Sequence, residues 1–224
     1  MSDFKTPELM NIELISDGWL KKYNLTYKLP DGSLYTYESI SRKDLPAYEA
    51  ALRANAEGKT LPPDAVCIVP ILPDDSLLLI REFRYPVNAW CVAFPAGLME
   101  EGESMEECIN RELLEETGYR VRTDIEGSAL MPLPQTGYSS VGLGEENVQV
   151  VIAYVEKAGE PRLQDGELIE TFTLKRDEVG SFLDTNKDLI GVRAQLLLEA
   201  VKRVNVVRKR LSLLQNPITS EDFA

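Results

Sequence analysis

The sequence predicts a mixed α/β protein in which a small antiparallel β segment precedes a larger domain. Three observations carry that prediction. Runs of aromatic and β-branched residues meet at Pro-Asp turns, once near residue 31 and again near residue 74, which is how hairpins read. Strand-like runs alternate with helix-like segments, two of which open on a capping residue and close on glycine. At 224 residues with 44% apolar side chains, the chain can bury a core and carry one appendage without covalent staples.

In chain order, residues 18–40 flank a Pro30–Gly32 turn and form the first hairpin. A helix follows over 44–57, with Asp44 as N-cap, Pro46 in the first turn and Gly58 as terminator. The segment GKTLPP at 58–63 marks a boundary, so that residues 1–58 form an N-terminal β subdomain and 59–224 the main domain. Residues 65–72 and 76–83 make a second hairpin around Pro73-Asp74-Asp75, and 90–94 a short strand. After an acidic, glycine-containing loop at 95–103, a helix runs from Ser104 to Gly118, where Ser104 and Glu107 match a capping box. Strands are expected at 147–156 and 168–174, helices at 176–184 and 189–211, and a frayed tail at NPITSEDFA, 216–224.

Composition removes several function classes. Acidic side chains outnumber basic ones 37 to 24, for a net charge of -13, which argues against a duplex nucleic acid partner. The basic cluster Lys202, Arg203, Arg208, Lys209 and Arg210 reads as a solvated helix end. There is no histidine, so triads and dyads built on imidazole are excluded, as are His-ligated metals. Acid-base chemistry falls to Glu, Asp, Lys, Tyr or Cys. Cys67, Cys91 and Cys108 form no CxxC pair and sit in apolar contexts, as buried inert thiols do. With no signal-like N-terminus and no apolar run long enough for a membrane span, the expected compartment is the cytoplasm.

The informative segment is GLMEEGESMEECINRELLEETGY, residues 97–119, with eight glutamates between Glu100 and Glu116. On a helical wheel Glu112, Glu115 and Glu116 fall within an arc of about 100°, on the side that also carries Met105, Cys108 and Ile109. The carboxylates thus continue the apolar stripe, which faces a core. Carboxylates converging on such a wall either rise in pKa or enclose a cation, and oxygen-only ligands suit a hard divalent ion. Arg111, beside Glu115 on the wheel, can hold one carboxylate and leave the others for metal.

These residues resemble the 23-residue box of the Nudix hydrolases through Gly97, Glu103, Arg111, Glu112, Leu113, Glu115, Glu116 and Gly118, with Tyr119 departing from the usual aliphatic residue. The resemblance implies an α/β/α sandwich around a mixed sheet and hydrolysis of a nucleoside diphosphate linked to another group. It implies Mg²⁺, with Mn²⁺ as a substitute, held by Glu112 and Glu116, by Glu115 as a third or shared ligand, and by the Ala96 carbonyl. Glu103 and Arg111 would orient the helix, and Gly97 would let the backbone approach the ions.

Outside the box the chain resembles the ADP-ribose pyrophosphatase subfamily in REFRYPV (81–87), FPAGL (94–98, which places Gly97 and Leu98 at the substrate) and Pro134, 15 residues beyond the box. This implies cleavage of ADP-ribose to AMP and ribose 5-phosphate, with other nucleoside diphosphate sugars or dinucleotides, or a non-catalytic ADP-ribose-binding sensor, as alternatives. It also implies a homodimer joined through the N-terminal β segment. Trp19 and Tyr37 fall where adenine-stacking aromatics are expected, with hairpin packing as the alternative. Arg84, and less directly Arg42, are candidates for the diphosphate or the adenine pocket. Glu167, in QDGELIE, is the first candidate for the general base, with Glu145 or Glu146 as rivals and direct metal activation of water without a base as the remaining alternative.

Overall fold

The computed structural model describes residues 5–125 and 128–215; the expected tail at 216–224 and the side chains of Arg208, Lys209 and Arg210 lie outside the described residues. Along the chain the strands and helices are β1 (Glu8–Ser16), β2 (Lys21–Lys28), β3 (Leu34–Ser41), α1 (Leu45–Ala56), β4 (Ala65–Ile71), β5 (Leu77–Arg84), β6 (Ala89–Ala93) and β7 (Ala96–Leu98). They continue with α2 (Met105–Thr117), β8 (Tyr119–Val121), β9 (Leu130–Pro132), β10 (Gly137–Tyr138), β11 (Asn147–Lys157), β12 (Ile169–Leu174), α3 (Val179–Thr185), β13 (Leu189–Ile190) and α4 (Val192–Gln215).

Two compact units emerge. The first comprises Met1–Ala65 with Pro134–Gln149, the second Val66–Leu133 with Val150–Ala224. The share of Pro134–Gln149 in the first unit has no counterpart in the sequence reading, which divides the chain once, at 58–63. In the first unit β1, β2 and β3 form an antiparallel sheet in that order. Its turn is fixed by Asp31, whose Oδ1 accepts from the Ser33 amide at 3.0 Å. Tyr23 and Leu25 of β2 pack with Tyr48 of α1, and the Tyr23 and Tyr48 rings lie 4.6 Å apart. Asp44 caps α1 by accepting from Ala47 N at 3.0 Å.

The second unit is built on a large mixed sheet. Within it β11, β4, β5, β6 and β13 follow one another, β12 adds to β5, β7 to β4, and β8 and β9 to β11. The β6–β13 pair is parallel, whereas β5 pairs antiparallel with β4, β6 and β12. β4 is buried along its whole length, so both of its faces are covered. Val66 and Ile68 meet Val151, Ala153 and Val155 of β11 and the apolar stripe Cys108, Ile109 and Leu113 of α2. No helix among the described residues is long and apolar enough to cross a membrane.

Three expectations are corrected. β1 was not anticipated, because register shifts at Leu9/Asn11 and Leu14/Ser16 break the period-two alternation that marks a strand. Residues 176–184 split into a 3₁₀ turn at Arg176–Glu178 and α3. Leu189 and Ile190 join the sheet instead of a helix: they pair with Cys91 and Val92, and the Gly191 amide donates to Val92 O at 2.9 Å. A tertiary edge contact overrides helix propensity there, and α4 begins after Gly191.

Gly118 closes α2 at φ 71°, and a Cβ there would strike the Gly159 carbonyl oxygen. Both strain and contact oppose substitution. Gly118→Ala should cost about 1–3 kcal/mol and lower Tm by about 3–8 °C in a thermal melt; an unchanged Tm would contradict this packing.

Candidate active site

Helix α2 carries the acidic cluster, and its ends are fixed locally. Ser104 Oγ accepts from Glu107 N at 3.3 Å, and Ser104 N donates to Glu107 Oε2 at 2.8 Å, completing the capping box. With both ends set, the wheel position of every glutamate follows. Glu112 and Glu116 are buried, at 8% and 6% exposure, directly beyond Cys108 and Ile109 on the core-facing stripe. Glu115 is half-exposed.

β7 supplies the opposing wall. A Cβ on Gly97 would overlap the Glu112 carboxylate, so only glycine lets that carboxylate lie against the strand. The Ala96 amide donates to Glu116 Oε2 at 3.3 Å, and Leu98 O accepts from Arg111 Nη2 at 3.0 Å. Arg111 forks onto Glu103, Nε to Oε1 at 2.7 Å and Nη2 to Oε2 at 2.9 Å, while Nη1 reaches Glu112 Oε1 at 2.6 Å and approaches Glu115 Oε2 at 3.5 Å. The bidentate partner is therefore Glu103, whose Oε2 also accepts from Glu100 N and so ties the preceding loop to the helix.

Electrostatics separates these acids. The Arg111 hydrogen bonds hold Glu103 down at about 2. Burial pushes Glu112 up, opposed by Arg111 and aided by Glu115 and Glu167. Burial also pushes Glu116 well up, and the charges of Glu112 and Glu82 add to the shift. Burial raises the Cys108 thiol to about 12, so it offers no thiolate near neutral pH.

Glu167 joins this group through sheet register. β12 pairs with β5 so that Ile169 lies opposite Glu82, and Phe83 N donates to Leu168 O at 3.0 Å. Tyr85 OH donates to Gly166 O at 2.8 Å, and Gln164 N donates to Glu167 Oε2 at 2.8 Å. Gln164 Nε2 also reaches Glu115 Oε2 at 3.4 Å. Glu82, beside these acids, was missed by sequence reasoning; its relevance depends on non-local strand pairing. Arg84 is half-exposed and pairs with Glu82.

The remaining candidates belong to the first unit. Trp19 is 77% exposed between β1 and β2. Tyr37 OH donates to Gly142 O at 2.7 Å. Arg42 forms an ion pair with Glu146. Glu145 accepts from Ser41 Oγ at 2.6 Å and pairs with Lys43 at 3.5 Å. Both rivals for the base thus have cationic partners within that unit.

The donor set fits a hard divalent cation. Of two buried carboxylates one turn apart, Glu112 touches a guanidinium and Glu116 a backbone amide, beside a glycine-lined backbone. As they stand, no three acidic or thiol groups among the described residues converge at ligand spacing, and Arg111 occupies one Glu112 oxygen that a cation would compete for.

Two pH predictions follow from the shifts. Glu103 lies below its ordinary 4.5, so its contribution to stability is present above about 4.5 and is lost as pH falls through about 2. Glu103→Gln should flatten that acid limb in a plot of Tm against pH; an identical limb would remove the role given to the Arg111 pair. Glu112 and Glu116 are raised, so they favour the metal-free fold when protonated and oppose it as pH climbs past 4.5. Mg²⁺ should then raise Tm in mildly alkaline buffer and have no effect near pH 4. Glu116→Gln should raise the metal-free Tm and abolish the Mg²⁺ response. A wild-type Tm indifferent to Mg²⁺ would remove the metal assignment.

Comparison with known proteins agrees with this geometry. The NUDIX domain model matches residues 61–194. The chain is 31% identical to the mouse (Mus musculus) ADP-sugar pyrophosphatase over 199 residues, 84% of this chain and 80% of that one. It is 28% identical to the ADP-ribose pyrophosphatase of Saccharomyces cerevisiae over 180 residues, 77% and 71% of the two chains. The crystal structure of an ADP compounds hydrolase superposes with a TM-score of 0.66 at 21% identity, covering 94% of this chain and all of the other, which shows the shared fold. A match over more than half the chain that includes the helix carrying the buried glutamates makes this protein a member of the Nudix hydrolase family.

Proposed function

We propose that the protein hydrolyses the diphosphate of ADP-ribose to AMP and ribose 5-phosphate with the help of Mg²⁺, Mn²⁺ being a possible substitute. The observation that carries this reading is the buried pair Glu112–Glu116 laid against Gly97. Such a pair is costly without a cation and useful with one. Glu112 and Glu116 would hold the metal, with Glu115 at its edge and the Ala96 backbone alongside. Bound there, the metal would neutralise diphosphate charge and make water easier to deprotonate. Glu103 keeps Arg111 engaged, and Arg111 steadies Glu112. Glu167, on the loop anchored by Tyr85 and Gln164, would accept the proton from the attacking water. Gly97 and Leu98 would line the diphosphate, and Arg84 would contact it.

The adenosine reading draws on the names of the mouse and yeast relatives and on exposed aromatics in the first unit. Trp19 and Tyr37 offer flat faces for a purine, and Arg42 lies one residue beyond β3. That unit also exposes Met10, Leu14, Ile15, Leu20 and Leu34, as an interface between two copies would. A homodimer acting in the cytoplasm, where three free cysteines remain reduced, completes the reading.

Product chromatography after incubation with Mg²⁺ and ADP-ribose, ADP-glucose, GDP-mannose or NADH tests it. AMP should appear fastest from ADP-ribose. Glu112→Gln should lower kcat by about 10³ or more and Glu167→Gln by about 10²–10⁴. A wild-type rate for Glu167→Gln would move the base to Glu145 or Glu146, and faster cleavage of another substrate would keep the chemistry while discarding the adenosine pocket. A single-chain mass by light scattering would remove the dimer.

A further inference from the structure

β5 carries two arginines whose surroundings differ sharply. Arg81 is committed: it forks onto Asp188 at 2.6 and 3.2 Å, reaches Glu170 at 3.2 Å and lies 4.2 Å from the Trp90 ring centroid. Arg84 is half-exposed and pairs with Glu82, Nη2 to Oε2, at 2.6 Å. The Glu82 side chain is only 13% exposed, and its Oε2, shut off from solvent, accepts no directed hydrogen bond. An ion pair at contact distance, without hydrogen-bond angles, joins the two side chains.

Strand alternation sets the direction. Phe83 packs edge-on against Tyr85 and Trp90, at 5.4 and 5.8 Å, and so takes the opposite face from its neighbours Glu82 and Arg84. β12 lies alongside, with Ile169 opposite Glu82 and Leu168 O accepting from Phe83 N at 3.0 Å, which brings Glu82 beside the Glu167 loop; the negative charges of Glu82 and Glu116 accordingly oppose each other's ionisation. A buried carboxylate at that place adds negative charge where a diphosphate must enter, which is unfavourable unless it does something else. A guanidinium has two edges, and a carboxylate on one leaves the other free for a second anion.

We propose that Glu82 is a positioning residue: by pairing with Arg84 it presents the free edge of that guanidinium to the substrate diphosphate, and it acts on the reaction only through Arg84. The inference rests on the diphosphate reading given above and deepens it.

A double-mutant cycle tests this without metal. Binding of ADP-ribose and of inorganic pyrophosphate, the minimal diphosphate, is measured by calorimetry in metal-free buffer for wild type, Glu82→Gln, Arg84→Ala and the double variant. Arg84→Ala should weaken binding about tenfold and Glu82→Gln about fivefold, with the double variant no weaker than Arg84→Ala. In turnover assays Glu82→Gln should raise KM and leave kcat within about twofold. Glu82→Asp should recover part of the affinity, and it serves as the test variant should Glu82→Gln fail to fold. Losses that multiply in the double variant would overturn the proposal. So would disappearance of the Mg²⁺-induced Tm rise in Glu82→Gln, which would make Glu82 a metal ligand. Wild-type binding of pyrophosphate without ADP-ribose would overturn the substrate reading and leave the cycle to be read on pyrophosphate. Binding of neither would overturn the positioning role itself.

Discussion

Two carboxylates buried on the core-facing side of one helix are the constraint on which the rest of the site depends. Leaving a buried charge unpaired costs several kcal/mol, and Glu112 and Glu116 stand one turn apart with like charge. The surrounding structure limits that cost in specific ways. Gly97 removes the side chain that would collide with Glu112, the Ala96 amide donates to Glu116, and Arg111 shares one edge with Glu112 while locking the other onto Glu103. The helix cannot rotate to release the acids, because Cys108, Ile109 and Leu113 on the same stripe are fully buried among β4 and β11. The apolar core therefore holds the charges in place, and the remaining unfavourable energy is what a divalent cation can relieve.

The parts of this arrangement that sequence made legible are the local ones. A capping box, a terminal glycine and a 3.6-residue period define α2, and all three depend on residues within one helix length. The hairpin at Pro30–Gly32 and the strand pair around Pro73–Asp75 are also local and appear where expected. What escaped was set at a distance or by irregularity. β1 is bulged, Leu189 and Ile190 are captured by β6, and Pro134–Gln149 belongs with the first unit. Glu82 is the clearest case at the site: it sits inside REFRYPV, a segment singled out for its arginine, yet only the pairing of Ile169 with Glu82 shows that it shares a neighbourhood with Glu167. Alternation along β5 could have placed Glu82 and Arg84 on one face; nothing local says which face meets the acids.

The same acidic side chain behaves in opposite ways within 13 positions of the chain, and the cause assigns the roles. Glu103 receives a full guanidinium fork and a backbone amide, so its charge is stabilised and its carboxyl lies near 2. It has no oxygen to spare and is suited to holding the loop. Glu112 receives one edge of the same guanidinium, which does not offset its burial, and Glu116 receives one backbone amide. Those two remain short of positive charge. One arginine is thus distributed unequally, and the inequality separates the acid that braces the loop from the two buried acids proposed to take a cation.

A chain without histidine has to make such distinctions with carboxylates alone. An unperturbed imidazole titrates near neutral pH by default, whereas a carboxylate becomes responsive there only if its surroundings lift it. Burial on α2 moves Glu112 and Glu116 in that direction, and it requires a rigid helix, so the cap, the terminal glycine and the close approach to β7 serve the site as much as the fold. Glu167 stands on different terms: its loop is tied by Tyr85 and Gln164 and it is only half-buried. In the proposed role of general base, Glu167 would need that access to solvent to collect a proton and release it. Glu112 and Glu116, the proposed metal ligands, are by contrast buried.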